Sequence, residues 1–276
     1  MTLKEQVDYY SEFEDWYFKI VEDFKFNIEK DREARDILSH ILTNKGENWN
    51  LEKVLNSFKR LIQSKSTIFI YGSGPSLEIT VEELIKRTEK KLFKDCINIA
   101  ADGAMVLLKE KEIPIHGVFT DLDGLTKSEL IHSDFIVVHA HGDNILKIEE
   151  FKDELLNLNN IIGTTQVEPI NNVINPGGFT DGDRILFFLR SLLLPEQRLF
   201  LIGMDFNKII GKYSKPEMVK DEEGDDVKIK KLQYAVKLIE WLQKQIKNKL
   251  YFINSKVVSK EFNNVSIERF KELIQE

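Results

Sequence analysis

The amino-acid sequence predicts an α/β fold, in which a mostly parallel sheet is sandwiched by helices and preceded by a helical N-terminal subdomain. Three observations lead to this fold class. Apolar residues recur at helical spacing over the first 62 residues, short β-branched and aromatic runs alternate with helix-length segments from Thr67 onward, and nearly all of those runs are continuously apolar. Strands that are apolar throughout are typical of sheets covered on both faces. We expect a helical N-terminal subdomain over residues 1–62 and an α/β catalytic domain over residues 63–276.

The composition is that of an ordinary globular protein, with 42% hydrophobic and 31% charged residues. A net charge of −7 gives no general attraction to nucleic acid or to an acidic membrane, so a basic phosphate site must be local. The single cysteine, Cys96, excludes an internal disulfide and a cysteine-rich zinc site. Because the N-terminus is polar and no apolar stretch is long enough to span a bilayer, we expect a cytoplasmic protein without nucleic-acid or membrane partners.

The N-terminal segment carries an aromatic stripe at helical spacing. Such a stripe could contact a partner protein, but we favour a face that packs against the main domain. Gly46 and the run Asn48-Trp49-Asn50 interrupt the pattern before a helix predicted over residues 51–63. We therefore expect this segment to be structural and to lack chemistry. The stripe consists of Tyr9, Tyr10, Phe13, Trp16, Tyr17 and Ile20.

The strands of the α/β part are separated by helix-length segments, which indicates βαβ units in a Rossmann-like sheet. Ligands of open α/β sheets bind beyond the carboxyl ends of the strands. The polar and glycine-rich residues of this chain gather at those ends, so each strand end is a candidate part of a site. The predicted strands cover residues 67–71, 96–100, 117–120, 135–139, 160–163, 199–202 and 250–254.

The first strand is followed by the glycine-rich motif Gly72-Ser73-Gly74-Pro75-Ser76. Small residues before a helix, here predicted over residues 81–89, let the backbone approach a phosphate. The motif is not a P-loop, because no Gly-Lys-Ser/Thr follows. It is not a complete dinucleotide fingerprint either, because Leu77 takes the third glycine position. A phosphate-binding turn and a plain strand-to-helix turn both stay open.

The second strand ends at the acidic residue of Ala101-Asp102-Gly103. An acid at this place can accept hydrogen bonds from a ribose or from another polar ligand group. It can equally cap the helix predicted to begin near Ala104. Asp102 is therefore a candidate ligand-binding residue whose role depends on its neighbours.

The third strand ends in the sharpest local signal, Thr120-Asp121-Leu122-Asp123-Gly124. Two aspartates that are two residues apart at a strand end can project to the same side. Carboxylates about 5 Å apart repel by roughly 3 kcal/mol at an effective dielectric of 20. A divalent cation converts that repulsion into attraction, and oxygen ligands suit Mg²⁺. The alternative is that both aspartates cap a turn before a helix predicted to start at Lys127, and we favour the metal.

The fourth strand ends in His139-Ala140-His141-Gly142-Asp143-Asn144. The two histidines share one face if the strand continues. A zinc site is not indicated, because no third nitrogen or sulfur ligand follows nearby. We expect the histidines to contact phosphate or substrate, with Asp143 approaching the metal.

Residues 175–184 combine flexible glycines with Thr180, Asp181 and Arg184, which suit a metal–phosphate site. Thr180 or Asp181 could instead cap the helix predicted over residues 184–194. Before this stretch, residues 163–166 offer neutral hydrogen-bonding groups.

The sixth strand leads into a polar segment that starts at Gly203-Met204-Asp205-Phe206 and carries Lys208, Lys212 and Lys215. A connection of roughly 20 residues without clear secondary structure is typical of a lid whose lysines close over phosphates. The acidic residues 221–226 indicate a solvated turn, and the helix predicted over residues 228–247 looks structural.

Taken in order, these motifs resemble the archaeal 6-hydroxymethyl-7,8-dihydropterin pyrophosphokinase family (MptE-like), itself similar to thiamin pyrophosphokinases. The resemblance covers roughly residues 65–245. It implies a transferase of pterin biosynthesis: the hydroxymethyl oxygen of the pterin attacks the β-phosphorus of ATP, and AMP leaves. The motifs that carry it are GSGPS (72–76), ADG (101–103), TDLDG (120–124), HAHGDN (139–144), GFTDGD (178–183), GMDF (203–206) and GKYS (211–214).

That reaction suggests roles for the acidic residues, which we state as hypotheses. Asp121 and Asp123 bind Mg²⁺, with Asp143 or Asp181 completing its shell. Asp143 or a histidine, for which we take His141, accepts the proton of the attacking hydroxyl.

The remaining candidate residues are expected to bind ATP or the hydroxymethyl heterocycle. The sequence leaves open whether the chain forms a homo-oligomer. Residues expected to hold the nucleotide, its phosphates or polar substrate groups are Gly72, Ser73, Gly74, Ser76, Asp102, His139, His141, Thr180, Arg184 and Lys212. Candidates for the edge of the pterin are Thr165, Gln166 and Asn175.

Three other functions compete. A motility-associated glycosyltransferase also uses an Asp-x-Asp site, but such proteins are typically larger than this chain. A thiamin pyrophosphokinase-like enzyme would share the chemistry with another acceptor. A nucleotide-binding regulator without catalysis would expose Tyr10, Phe13 and Tyr17 as its partner surface.

Overall fold

The structure, a computed structural model, describes residues 1–46, 49–88 and 90–274. Its centre is a nine-stranded sheet with the strand order β11-β10-β7-β1-β2-β3-β4-β5-β6, and every neighbouring pair is parallel. The predicted α/β fold is therefore confirmed. The strands are β1 (Thr67–Tyr71), β2 (Ile97–Ala101), β3 (Gly117–Thr120), β4 (Ile136–Ala140), β5 (Ile161–Thr165), β6 (Val173–Ile174), β7 (Arg198–Ile202), β8 (Ile209–Ile210), β9 (Glu222–Glu223), β10 (Leu250–Ile253) and β11 (Asn263–Val265).

All seven predicted strands are present, with ends displaced by no more than two residues. The sequence did not reveal β6, which has two residues, or β11, whose sequence Asn263-Asn264-Val265 lacks an apolar run. The strand order reverses between β1 and β7, because β2 to β6 extend to one side and β7, β10 and β11 to the other. Such a reversal opens a crevice at the carboxyl ends of the strands.

Helices cover both faces of the sheet. Strand residues alternate between two cores: Ile68 and Ile70 of β1 belong to one, Phe69 and Tyr71 to the other. The helices are α1 (Leu3–Val7), α2 (Tyr10–Phe24), α3 (Ile28–Thr43), α4 (Leu51–Ile62), α5 (Leu77–Thr88), α6 (Lys91–Lys94), α7 (Ala104–Glu110), α8 (Ile145–Glu150), α9 (Lys152–Asn157), α10 (Asp181–Leu189), α11 (Asp226–Gln243) and α12 (Ile267–Leu273).

The N-terminal helices pack against both faces of the sheet. Residues of α1, α2 and α4 share a core with α10 and α11, whereas those of α3 belong to the core on the opposite face. In the aromatic stripe, Phe13, Tyr17 and Ile20 are no more than 2% exposed. The packed face is thus confirmed, and the partner surface that a regulator would need is not formed by Phe13 and Tyr17.

Several predicted element boundaries are corrected. The helix expected from Lys127 is reduced to a single 3₁₀ turn, Leu130–His132. Before that turn, Thr126 hydrogen-bonds to Ser128 and Glu129 through its side chain, and such local bonds compete with helix formation. Asn48 and Glu89, which belong to a predicted break and a predicted helix end, lie outside the described residues.

Other helices start earlier than expected. The helix α10 begins at Asp181 and ends at Leu189, and α11 covers Asp226–Gln243. The segment expected to lack secondary structure contains the antiparallel pair β8–β9 and a 3₁₀ turn, Lys212–Ser214. Among the described residues, no helix combines the length and apolar character needed to cross a bilayer.

Candidate active site

A cavity of about 630 Å³ lies at the carboxyl edge of the sheet. Its size falls within the range of small-molecule sites, about 300–1,000 Å³. The loops after β1, β2, β3, β4, β5 and β7 line it, together with the α2–α3 turn, the starts of α10 and α11, and the β8–β9 pair. The strand-end motifs are therefore brought together, as the sequence predicted.

The centre of the cavity is a cluster of carboxylates. Oxygen atoms of Asp102, Asp121 and Asp123 all lie within 4.8 Å of one another. Thr120 orients the cluster: its Oγ1 donates to Asp102 Oδ1 at 2.6 Å and accepts from the backbone N–H of Leu122 at 2.7 Å. One hydroxyl at the end of β3 thus fixes both the side chain of Asp102 and the turn that carries the aspartate pair.

The backbone at this cluster is strained. Asp102 and Leu122 adopt left-handed conformations, with φ of 45° and 71°, which cost non-glycine residues on the order of 1–3 kcal/mol each. Gly124 is required for a different reason. A Cβ atom at this position would lie 1.8 Å from Oδ2 of Asp102, so any side chain would displace that carboxylate. The strained backbone and the close contact at Gly124 both bring the carboxylates of the cluster together.

The electrostatics of the cluster call for a cation. Burial, and then the charges of Asp121 and Asp181, raise the pKa of Asp102 well above its usual value. Burial and Asp121 likewise raise the pKa of Asp123 and of Asp181. Burial also opposes the ionisation of Asp121, but hydrogen bonds from His141 and Asp123 outweigh it and hold the pKa of Asp121 well below its usual range. Carboxylate oxygens at this spacing fit a hard cation such as Mg²⁺.

His141 supports the aspartate pair directly. Its Nε2 lies 3.3 Å from Asp121 Oδ2, and its Nδ1 accepts from the backbone N–H of Asp143 at 3.3 Å. This network assigns the proton to Nε2, which then donates to Asp121. The carboxylate of Asp143 is 72% exposed, and its Oδ2 lies 3.9 Å from His141 Nδ1. Asp143 therefore lines the open part of the cavity and is not a member of the three-carboxylate cluster.

His139 lies behind the site. It is 1% exposed, its Nδ1 is 3.1 Å from Thr164 Oγ1, and it is absent from the described lining of the cavity. Burial, and then the charge of Arg184, lower the pKa of His139 well below its usual value, so the ring is neutral. The structure gives this histidine a packed position in place of the phosphate contact that we expected.

Arg184 and Thr180 organise the start of α10. Arg184 is 4% exposed; its Nη1 donates to Asp181 Oδ1 at 3.2 Å and its Nη2 to the carbonyl of Phe179 at 2.8 Å. Thr180 caps the helix through Asp183, whose Oδ1 accepts from the Thr180 N–H at 2.7 Å. The capping interpretation is confirmed for Thr180. Arg184 reaches the cavity wall with Nη1 bonded to Asp181 and Nη2 to Phe179, whereas its buried Nε has no hydrogen-bond partner among the described residues.

The glycine-rich turn after β1 lines the cavity through Gly72, Ser73 and Gly74. Ser76 does not belong to the described lining: its N–H donates to Asp205 Oδ2 at 2.8 Å, and its hydroxyl is buried. Ser73 Oγ is 3.2 Å from Ser214 Oγ, so the β8–β9 segment is docked on this turn. The turn thus offers backbone and a hydroxyl to a ligand at the reversal point of the sheet.

The lysines of the site differ from those expected. Lys212 Nζ pairs with Glu78 at 2.7 Å, and the residue is absent from the described cavity lining. Lys215 and Lys228 line the cavity, and their charges act on Asp123 and Asp181 respectively. Lys228 lies in the first turn of α11, where a positive charge opposes the helix dipole. That unfavourable position was the sequence signal that could have identified it.

The residues proposed for the pterin edge are mostly engaged in the fold. Thr165 is 1% exposed, and the amide of Asn175 bonds to the Val167 carbonyl and the Gly177 N–H, each at 2.9 Å. Only Gln166 of the three lines the cavity among the described residues. Its Nε2 donates to Asp31 at 2.9 Å, so it links the sheet to α3.

The N-terminal helices form a wall of the cavity, a position that the sequence did not indicate. Phe26 and Asn27 of the α2–α3 turn and Lys30 and Asp31 of the first turn of α3 line it. Asp31, 3% exposed, accepts from the backbone N–H of Gly142 at 2.7 Å. Because these contacts join residues far apart in the chain, no local sequence motif indicates them.

The fold and this site define a Rossmann-like α/β protein with a carboxylate centre suited to a cation and a glycine turn suited to a nucleotide. Comparison with known proteins specifies the family. The profile described as "6-hydroxymethylpterin diphosphokinase MptE-like" matches residues 39–211. The chain belongs to this MptE-like family, and the resemblance seen in the motifs is confirmed.

Three archaeal relatives carry the name 6-hydroxymethyl-7,8-dihydropterin pyrophosphokinase. The protein of Methanocaldococcus jannaschii is 39% identical over 85% of this chain and 96% of its own length. Those of Pyrococcus furiosus and Methanothermobacter thermautotrophicus are 38% and 35% identical, over 85% and 83% of this chain and 94% and 93% of theirs. The match includes nearly the whole length of each relative.

Proposed function

We propose that this protein transfers the β,γ-diphosphate of ATP to the hydroxymethyl group of 6-hydroxymethyl-7,8-dihydropterin and releases AMP. The observation that carries this proposal is the carboxylate cluster of Asp102, Asp121 and Asp123 in a cavity at the sheet reversal, in a chain of the MptE-like family. The names of its full-length relatives supply the acceptor. An ATP-dependent biosynthetic enzyme with one buried free thiol suits the cytoplasm.

The carboxylates of Asp121, Asp123 and Asp102 would hold Mg²⁺, with Asp181 beside them. A bound ion would neutralise the negative charge of the phosphates, which the three carboxylates would otherwise repel. Lys215, between β8 and β9, and Lys228, in α11, supply positive charge to the same phosphates. Phosphoryl transfer needs mainly such positioning and charge neutralisation.

The reaction forms one bond and breaks one. The hydroxymethyl oxygen bonds to the β-phosphorus. The bond between the β-phosphorus and the oxygen that bridges it to the α-phosphorus breaks, and its electron pair leaves with AMP. The hydroxyl proton passes to a base on the cavity wall. Asp143 is the exposed carboxylate next to His141 and is suited to that role.

Incubation of the protein with ATP, Mg²⁺ and 6-hydroxymethyl-7,8-dihydropterin tests this function. We expect acceptor-dependent AMP and an equimolar pterin diphosphate, separated by anion-exchange chromatography. AMP formed with thiamin and not with the pterin would overturn the acceptor and retain the diphosphotransferase class. Absence of AMP with both acceptors would overturn the function.

A further inference from the structure

One end of the cavity is aromatic. Phe26 from the α2–α3 turn and Phe179 from the loop before α10 both line it, with ring centroids 6.3 Å apart and planes inclined by 52°. Phe24 stacks behind Phe26 at 5.2 Å and 16°, which fixes that ring. Aromatic faces in a cavity wall are surfaces on which a flat ligand can stack.

A positive side chain lies beside the same two rings. Lys231 Nζ on α11 lies 5.6 Å from the centroid of Phe26 and 5.9 Å from that of Phe179. The residue itself lines the cavity. Its ammonium group can therefore donate a hydrogen bond to the edge of a ring that stacks there.

The aromatic end is rigidly connected to the carboxylate cluster. Arg184 donates both to the carbonyl of Phe179 and to the carboxylate of Asp181, at 2.8 and 3.2 Å. The ring and the acid are thus held in one frame. A ligand stacked on Phe179 would have its substituents close to the phosphate site.

The other end of the cavity belongs to the glycine turn at β1. Asp31, in the first turn of α3, instead accepts a hydrogen bond from the N–H of Gly142, which follows β4. Three strand spacings separate β1 from β4, about 14 Å. The aspartates after β2 and β3 lie between the two ends, so a nucleotide on the glycine turn leaves the aromatic end to the second reactant.

We propose that Phe26 and Phe179 together form the aromatic surface against which one face of the acceptor heterocycle packs, and that Lys231 donates to a ring nitrogen or carbonyl oxygen at its edge. This assignment rests on the proposed function for the identity of the acceptor. The N-terminal helical segment thereby contributes a specificity-determining residue, Phe26.

The test compares Phe26→Ala with Phe18→Ala, which removes a 46% exposed aromatic ring from the same helical hairpin. Equilibrium binding of 6-hydroxymethylpterin and of Mg²⁺ with α,β-methylene-ATP is measured separately by titration calorimetry. We expect Phe26→Ala to weaken pterin binding about tenfold and nucleotide binding less than twofold, because only the stacking face is lost. Phe18→Ala should change neither. Phe26→Tyr should restore pterin affinity.

Phe26→Leu covers the case in which the alanine variant does not fold. It keeps apolar volume, and we expect it to weaken pterin binding at an unchanged melting temperature. The proposal is overturned if Phe26 variants weaken nucleotide binding instead, if they leave pterin affinity unchanged, or if the wild-type protein binds no pterin. Pterin binding lost on Phe26→Ala in a protein that forms no AMP would support this site and overturn the proposed function.

Discussion

The two walls of the cavity differ in how their buried charges are compensated. On the sheet wall, the carboxylates of Asp102, Asp121 and Asp123 face one another, and burial raises the pKa of Asp102 and Asp123. On the N-terminal wall, Asp31 is buried as Asp102 is, but it accepts hydrogen bonds from the Gly142 N–H and the Tyr17 hydroxyl, each at 2.7 Å, and from Gln166. An uncompensated cluster indicates a place where a ligand supplies the missing charge, whereas a fully bonded carboxylate indicates a structural joint.

The largest expected effect concerns the uncompensated wall. Asp121→Asn and Asp123→Asn should each lower kcat by at least about 10²-fold, because each removes a charge that positions the metal–phosphate group. Asp123→Asn should melt at or above the wild-type temperature, since it relieves like-charge repulsion. Asp121→Asn weakens the hydrogen bond with His141, which stabilises the charged carboxylate, and should melt below the wild-type temperature. The measurement is steady-state AMP release with calorimetric melting. Asp153→Asn, at an exposed position of α9, is the matched control. Near-normal turnover in both site variants would mean that Asp121 and Asp123 only cap a turn.

Substitutions on the N-terminal wall should lower the stability of the protein. Asp31→Ala leaves the Gly142 N–H, the Tyr17 hydroxyl and the Gln166 amide without their acceptor, and we expect a loss of about 3 kcal/mol in the free energy of unfolding. Tyr17→Phe removes one of these bonds and should cost about 1 kcal/mol. Urea denaturation measures both. If Asp31→Ala proved as stable as the wild type and inactive, Asp31 would belong to the chemistry.

The smallest expected effect is the difference between two neighbouring lysine variants. Lys215→Ala should reduce kcat/KM for ATP about tenfold, because it removes a charge that acts beside Asp123. Lys212→Ala should change kcat/KM less than threefold, since its partner is Glu78 outside the lining. Both are measured at saturating pterin. An inverted order would mean that the segment rearranges on binding ATP.

The sequence predicted the sheet wall because its signals are local. Each strand end is a short apolar run followed by a polar motif, and parallel strands place those ends along one edge. Asp102, Asp121, Asp123 and Asp181 could therefore be identified before the structure was seen. Whether a given polar residue caps a turn or faces the cavity could not, as Ser76 shows.

The N-terminal wall was missed because its signals are not local. The contact between Asp31 and Gly142 joins residues 111 positions apart, and nothing in the pattern around either residue indicates the other. Close approaches are equally invisible: a Cβ atom on Gly103 would lie 1.9 Å from the carbonyl oxygen of Tyr213. Such contacts depend on how distant segments pack, which helical and strand periodicity does not encode.

The central claim is that the carboxylate cavity transfers a diphosphate from ATP, and phosphorus NMR of a single reaction mixture tests it most directly. With ATP, Mg²⁺ and 6-hydroxymethyl-7,8-dihydropterin, we expect the resonance of the ATP α-phosphate to be replaced by that of AMP, and two coupled resonances of a pterin diphosphate ester to appear. ADP with a pterin monophosphate, or AMP with free inorganic diphosphate and unmodified pterin, would contradict it.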